Sequence, residues 1–209
     1  MIEWLKEEWI NLTSRYCKDI SLRNEFWDEI RSCYSEKSRY YHNLKHIYNI
    51  LLQADEMKSK IEDFDALKLA IWYHDIIYKP SKKNNEEKSS LFAKNRLNSL
   101  NFDEKRAKIV QNFIVSTKKH QLILSETDDN AYFLDFDLSI LGTDWETYKN
   151  YYQNIRKEYK IYPDFLYNPN RKKILNHFLE RETLYFTEVY QVKYELQARA
   201  NLKKEITLL

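Results

Sequence analysis

Apolar residues recur every three or four positions along most of the chain, which is the spacing of one face of an α-helix. This periodicity predicts four helices in the first third of the sequence. Their inner faces are expected to be Ile2, Leu5, Trp9 and Leu12; Phe26, Trp27, Ile30 and Tyr34; Ile47, Ile50, Leu51 and Ala54; and Leu67, Ala70, Ile71 and His74.

Small polar residues stand where several of these periodic segments begin. Oxygen atoms of Ser, Asn and Asp side chains accept hydrogen bonds from the free N–H groups of a first helical turn. Ser21 and Asn43 are therefore expected to cap the second and third helices, and Asp63 or Asp65 to begin the fourth. Asp103 is expected to cap a later one.

The remainder of the chain alternates helical periodicity with polar segments. Residues 79–90, KPSKKNNEEKSS, predict a loop entering a fifth helix, and residues 118–130 predict an irregular stretch. The apolar residues 131–142 end at Gly142, which is a plausible helix stop. Pro163–Asn170 predicts a turn region, with one or two helices from Arg171 onward. The inner faces of the later helices are expected to be Leu91, Ala93 and Leu97; Ala107, Val110, Phe113 and Ile114; and Trp145, Tyr148, Tyr152, Ile155 and Tyr159.

Turn-forming residues are scarce, with one glycine and three prolines in 209 residues. Sandwiches and barrels need many tight turns, so the composition favours an all-α fold. The single glycine also excludes glycine-rich phosphate loops and the nucleotide-binding folds built on them. Any phosphate group must be held by a metal ion or by side chains.

The charges almost cancel, with a net charge of +2. Such a balance creates no long-range field to gather long nucleic acids or an anionic membrane, and neither is an expected partner. The two cysteines, Cys17 and Cys33, are expected to be free thiols. No apolar run approaches the length of a membrane span, so a cytoplasmic protein is expected.

The five histidines include a closely spaced pair in YHNLKH. His42 and His46 are four residues apart, so a helix places both on one face. If Asn43 begins that helix, His42 lies at its N-terminus and His46 lies about one turn into it. Two surface or half-buried histidines without a site are the alternative interpretation.

Aspartates interrupt apolar runs at two further places. In WYHDII, His74 falls on an apolar helical stripe and Asp75 precedes two isoleucines; in FLDFDLSIL, Asp135 and Asp137 lie within an apolar run. A buried carboxylate needs a cation, a metal ion or several hydrogen-bond donors. At a spacing of two, Asp135 and Asp137 cannot share a helix face, so at most one is expected to point into a shared site.

Imidazoles and carboxylates from separate helices are a common ligand set in helical bundles. Mixed nitrogen and oxygen ligands suit manganese, nickel, iron, zinc or magnesium rather than calcium. One or two divalent ions are therefore expected as the cofactor. A buried His–Asp hydrogen bond without metal is the alternative.

The order H…HD…D on helices resembles the HD-domain superfamily of metal-dependent phosphohydrolases. RYYHNLKHI is also similar to the YHNxxH motif of cyclic nucleotide phosphodiesterases. Together, RYYHNLKHI, AIWYHDIIY, NNEEKSS, STKKH and DFDLSILG resemble a bacterial group of predicted HD-type phosphohydrolases. The resemblance covers the site motifs at about residues 39–142 and continues through IRKEY, FLERETLYFT and ELQARANL. It implies a single HD-domain-like helical bundle over residues 1–209, with N- and C-terminal helical extensions.

The same resemblance implies roles for particular residues. The expected metal ligands are His46, His74, Asp75 and Asp137, with Asp135 as the alternative to Asp137. Asp75 is also expected to bridge two ions or to orient the attacking water, and His42 to protonate the leaving oxygen.

The motif STKKH supplies the predicted substrate contacts. His120 is expected to bind substrate phosphate or to help hold a second metal ion, and Lys118 and Lys119 to neutralise phosphate oxygens. A solvated charge run is the alternative for the two lysines. Glu86 and Glu87 are expected either to reach the site through water or to form a charge pair at a helix N-terminus.

The expected activity is hydrolysis of a phosphomonoester or phosphodiester bond in a nucleotide-like small molecule, by metal-activated water. A metal- and nucleotide-binding sensor without turnover is the first alternative, and a metal-free helical interaction protein is the second. A di-iron oxygenase is disfavoured, because His120 is the only histidine between the HD pair and Asp137.

Overall fold

The computed structural model describes all 209 residues and contains ten α-helices and no β-strand, which confirms the all-α class. The helices are α1 (Ile2–Thr13), α2 (Ile20–Tyr34), α3 (Leu44–Glu56), α4 (Phe64–Tyr73), α5 (Asn85–Ser99), α6 (Glu104–Ser116), α7 (Asp129–Leu138), α8 (Trp145–Glu158), α9 (Asp164–Leu179) and α10 (Glu188–Leu208). Lys58–Lys60 and Ser139–Gly142 form short 3-10 helices.

The chain forms two compact units, Met1–Phe133 and Leu134–Leu209, and the boundary falls within α7. The first unit contains α1 to α6 and the start of α7, and the second contains the end of α7 and the helices that follow. A single domain over residues 1–209 stays a prediction.

Side-chain caps begin most helices of the first unit. Asn43 and Asp103 cap α3 and α6 as predicted, accepting from the backbone N–H groups of Lys45 and Arg106. Of the two candidates for the start of α4, Asp63 is the cap, and it accepts from Ala66 N. Ser21 as the cap of α2 is wrong. The helix begins one residue earlier, at Ile20, and Asp19 accepts from Leu22 N at 3.1 Å instead.

The core of the first unit is apolar and rich in aromatic rings. Trp72 on α4 packs edge-on against Trp9 of α1 and Trp27 of α2, with ring centroids 5.8 and 6.2 Å apart. The predicted inner faces of α1 to α4 are buried except Ile2, which is exposed. On α5, Ala93 and Leu97 are buried as predicted, but Leu91 is exposed. Ser89 and Ser90, with their small side chains, complete the buried face of this helix.

One helix boundary predicted for the second unit, the start of α9, is wrong. Pro163–Asn170 is not a turn region, because α9 begins at Asp164 and carries Pro169 within it. Pro163 stands at the N-cap position, where its missing N–H leaves no helical bond unmade. The chain then forms α9 and α10, in line with the one or two helices expected after Arg171.

A buried ion pair joins α9 to α10 inside the second unit. Arg171 donates from Nε to Glu205 Oε1 at 2.7 Å, and the Tyr148 hydroxyl on α8 donates to the other carboxylate oxygen. Both charged side chains are almost fully buried. Each charge therefore compensates the burial of the other.

None of the helices combines the length and the apolar composition required to cross a bilayer.

Candidate metal centre

His46 is placed by the start of α3. Asn43 caps the helix, so His46 lies in its first turn, and its apolar neighbours Leu44 and Ile47 are buried with it. His42 precedes the cap and is half-buried. The local sequence thus puts one imidazole inside the unit and the other at its edge.

His74 and Asp75 lie where α4 ends. The last residue of the helix is Tyr73, and His74 is its C-cap, with helical backbone angles. His74 is only 1% exposed, and its Nδ1 atom lies 2.9 Å from Ile71 O. Because a carbonyl oxygen can only accept, Nδ1 carries the proton and donates it.

Three ligand-type atoms converge at this point. His74 Nε2 lies 3.1 Å from Asp75 Oδ2 and 3.3 Å from His46 Nε2, and His46 Nε2 lies 3.9 Å from Asp75 Oδ2. All three atoms lie within 4.8 Å of one another, so this cluster can hold a metal ion. Its members come from α3 and from the end of α4.

Two of the three distances between these atoms match those around a shared ion, and the third, 3.9 Å between His46 Nε2 and Asp75 Oδ2, is longer. Imidazole and carboxylate ligands bond at about 2.1 Å, which separates neighbouring ligand atoms by about 3.0 Å at octahedral angles and about 3.4 Å at tetrahedral angles. The two shorter observed distances, 3.1 and 3.3 Å, lie in that range.

The protonation of His74 gives a second argument for a cation. With Nδ1 donating to Ile71, a neutral His74 presents a lone pair at Nε2, facing a carboxylate oxygen that also has only lone pairs. A proton or a cation between these two acceptors would remove their repulsion. A metal ion placed there could also bind the nearby Nε2 atom of His46.

His42 lies beside this cluster rather than in it. Its Nε2 atom is 4.0 Å from Asp75 Oδ2, and its ring packs on the ring of Tyr78 with centroids 4.2 Å apart. The side chain is 18% exposed, so solvent or a ligand can reach it. The predicted proton donor and three of the four predicted ligands, His46, His74 and Asp75, are therefore brought together in the first unit.

Asp135 and Asp137 have different surroundings within the second unit. The Asp135 carboxylate accepts from Phe186 N, from Thr187 N and from Thr187 Oγ1, at 2.7–2.8 Å. It therefore anchors the residues before α10. Burial raises the pKa of Asp135 to about 6, although these three bonds oppose the shift. They leave Asp135 poorly suited to ligate metal, so Asp137 stays the predicted fourth ligand.

Asp137 lies near the end of α7 and is half-buried. Burial raises the pKa of the Tyr151 hydroxyl on α8, and the negative charge of Asp137 raises it further. Asp137 belongs to the second unit, whereas the cluster of three is complete within the first.

The predicted substrate-contact residues lie around the start of α5 and the end of α6. Glu86 and Glu87 occupy the first turn of α5, and Lys118 forms an ion pair with Glu87. That carboxylate raises the pKa of the Lys118 ammonium group. Lys119 is exposed and His120 is half-buried. Their binding of phosphate stays a prediction.

Glu86 is electrostatically connected to Asp75, one of the three clustered residues. Burial raises the pKa of its carboxyl group, and the charge of Asp75 raises it further. Glu87 instead serves the ion pair with Lys118. The two glutamates are neighbours in the sequence but interact with different residues, Glu86 with Asp75 and Glu87 with Lys118.

Arg39 is the site-associated residue that the sequence pattern does not reveal. It precedes α3 in an irregular segment, where no periodicity indicates burial, yet it is only 7% exposed and donates to Asp75 O at 2.6 Å. The one available signal was its place at the head of RYYHNLKHI.

No protein-family model, no curated protein and no solved structure matches this chain.

Proposed function

We propose that this protein is a metal-dependent phosphohydrolase of the HD type. It cleaves a phosphomonoester or phosphodiester bond in a nucleotide-like small molecule. The observation that supports the proposal is the convergence of His46 Nε2, His74 Nε2 and Asp75 Oδ2, with His42 beside them. The order of these residues along the chain is the one that resembles the HD superfamily.

His46, His74 and Asp75 would hold a divalent ion, with Asp137 as the predicted fourth ligand. Such an ion, when bound, lowers the pKa of water towards about 7 and offsets negative charge on a phosphoryl group. Ile71 keeps the His74 ring in the tautomer that ligation requires. Asp75, as the least buried of the three, orients the attacking water.

His42 acts as the general acid. It holds a proton at Nε2, 4.0 Å from Asp75 Oδ2, and donates it to the departing oxygen of the substrate. Proton transfer by a positioned side chain is typically worth about 10²–10⁴ in rate. Lys118, Lys119 and His120 contact the phosphate oxygens of the substrate.

Metal content is the first measurement that tests this proposal. Purified wild type is expected to contain at least one equivalent of a transition metal by elemental analysis, and Asp75→Ala is expected to contain almost none. The matched control is His177→Ala, which removes an exposed histidine of α9 and should keep the metal. A wild type that takes up neither manganese nor nickel nor zinc on addition would refute the proposal.

Hydrolysis separates an enzyme from a sensor. With manganese, wild type is expected to cleave p-nitrophenyl phosphate or bis-p-nitrophenyl phosphate, and His42→Ala to retain its metal but lose about 10²–10⁴ in rate. Bound metal without turnover of these esters or of nucleotides would favour the sensor function instead. Loss of metal in Asp137→Ala would establish the fourth ligand.

A further inference from the structure

Arg39 connects the two segments that carry the candidate site. Its Nη1 atom donates to His42 O at 3.2 Å and to Asp75 O at 2.6 Å, and Nη2 donates to Ile76 O at 2.8 Å. One guanidinium group therefore joins the segment before α3 to the turn after α4. These segments lie 36 residues apart in the chain and supply the proton donor and a metal ligand.

Two aromatic rings hold the guanidinium group in place. Its central carbon lies 5.0 Å from the ring centroid of Tyr34 and 5.6 Å from that of Tyr78. Tyr34 is itself tied to α4, because its hydroxyl donates to Trp72 O at 3.1 Å. Tyr78 also packs on the ring of His42, so the side chain of Arg39 and that of His42 share one neighbour.

Burial makes this arrangement costly to lose. Arg39 is 7% exposed, and its positive charge is held by backbone carbonyl groups and ring faces. The carbonyls of Asp75 and Ile76 follow the end of α4, where the helix dipole favours a cation. The planar fork of a guanidinium group can bond several acceptors at once, which a lysine ammonium on its flexible stem cannot reproduce.

We infer that Arg39 is a positioning residue that sets the His42 imidazole and the Asp75 carboxylate relative to each other. It acts through backbone carbonyls and through Tyr78, not by touching the substrate. The inference rests on the proposed metal site. Groups that orient ligands from outside the coordination sphere commonly change metal affinity by about 10–100-fold when they are altered.

The experiment compares Arg39→Lys with Arg23→Lys. Arg23 is a matched control, because it is also a buried arginine of the first unit, 8% exposed, and donates to a backbone carbonyl, Ile10 O of α1. Two quantities are measured: the Mn²⁺ dissociation constant by calorimetry, and the ring chemical shifts of His42 and His74 in the metal-free protein by NMR.

Arg39→Lys is expected to weaken Mn²⁺ binding about tenfold or more and to shift the ring signals of His42. Arg23→Lys is expected to lose comparable stability towards urea but to leave both quantities at wild-type values. Unchanged Mn²⁺ affinity together with unmoved His42 signals in Arg39→Lys would overturn the inference.

Two further outcomes keep the inference separable from the proposed function. If wild type itself does not bind Mn²⁺, the proposed function fails, and the His42 signals of the metal-free variants alone decide the role of Arg39. If Arg39→Lys does not fold, Tyr78→Leu removes the ring shared with His42 at a half-buried position. Loss of the Tyr78 ring current moves the His42 signals by itself, so Mn²⁺ affinity is the quantity measured in that variant, and an unchanged dissociation constant would overturn the inference as well.

Discussion

His120 has a left-handed backbone conformation, with φ of 45°, at the end of α6. Gln121 N donates to Ser116 O and His120 N donates to Thr117 O, the pair of bonds that closes a Schellman motif. Glycine is the usual residue at this position, because it has no Cβ to crowd the backbone. A histidine there is consistent with a role for its side chain.

His120→Gly is therefore expected to gain stability and to lose function. Relief of the left-handed strain, worth roughly 1–2 kcal/mol, exceeds the entropy cost of glycine, so a net gain of about 0.5–1 kcal/mol is expected. Hydrolysis of p-nitrophenyl phosphate with manganese should fall at the same time. Urea denaturation and steady-state kinetics measure the two effects.

Asn101→Gly is the control for this substitution. Asn101 has φ of 58° and closes the same motif at the end of α5, with Phe102 N donating to Leu97 O. The variant should gain less stability than His120→Gly, because asparagine tolerates the left-handed conformation, and its activity should remain at the wild-type level. Full activity in His120→Gly would remove His120 from the substrate-binding residues.

At the scale of elements, the only glycine marks a close contact rather than a special backbone angle. Gly142 ends the 3-10 helix after α7, and its φ is not positive. A Cβ added there would lie 2.5 Å from Tyr194 Cβ and 2.7 Å from Tyr194 O on α10. The helix can approach this closely only because no side chain intervenes.

Gly142→Ala is expected to destabilise the protein by about 1–3 kcal/mol, because the backbone of α10 must move to make room for the methyl group. The midpoint of urea denaturation measures the change. Thr143→Ala, at the next position, loses only a local hydroxyl bond to Ile140 O and should cost less than about 1 kcal/mol. Equal losses in the two variants would argue against the close contact.

Helix boundaries show how far local patterns reach. Asn43, Asp63 and Asp103 were predictable as caps because a cap bonds N–H groups two or three residues away. The start of α9 was not, because two prolines in Pro163–Asn170 suggested a turn. Pro163 precedes the helix, and Pro169 is accommodated within it.

At the scale of the whole molecule, metal binding is expected to raise thermal stability. An ion that binds the folded state alone adds about 2.7 kcal/mol when its concentration is 100 times the dissociation constant. For a chain of this size, that corresponds to an increase in Tm of about 5–10 °C. Calorimetry with and without Mn²⁺ measures the shift.

Asp75→Ala should show no such shift, and addition of EDTA should return wild type to the Tm of the metal-free protein. His177→Ala, which alters an exposed residue, should respond to Mn²⁺ as wild type does. An equal Tm increase in Asp75→Ala would place the stabilising ion elsewhere in the protein.

Local chemistry accounts for much of what was predictable. The all-α class, most of the inner faces and the residue types of the candidate site follow from periodicity, from caps and from the shortage of glycine. These features depend on neighbours within about one helical turn, so the linear order of residues carries them. The burial of His74 follows from the apolar stripe of α4.

The partners of individual polar groups depend on contacts between distant segments. The proton on His74 Nδ1, the approach of its Nε2 atom to His46, and the three bonds that engage Asp135 with Phe186 and Thr187 all arise when helices pack. Arg39 is the clearest example, because its acceptors at Asp75 and Ile76 are brought to it only by folding. A pattern of residue types sets which faces are buried, but the packing of those faces sets which atoms meet.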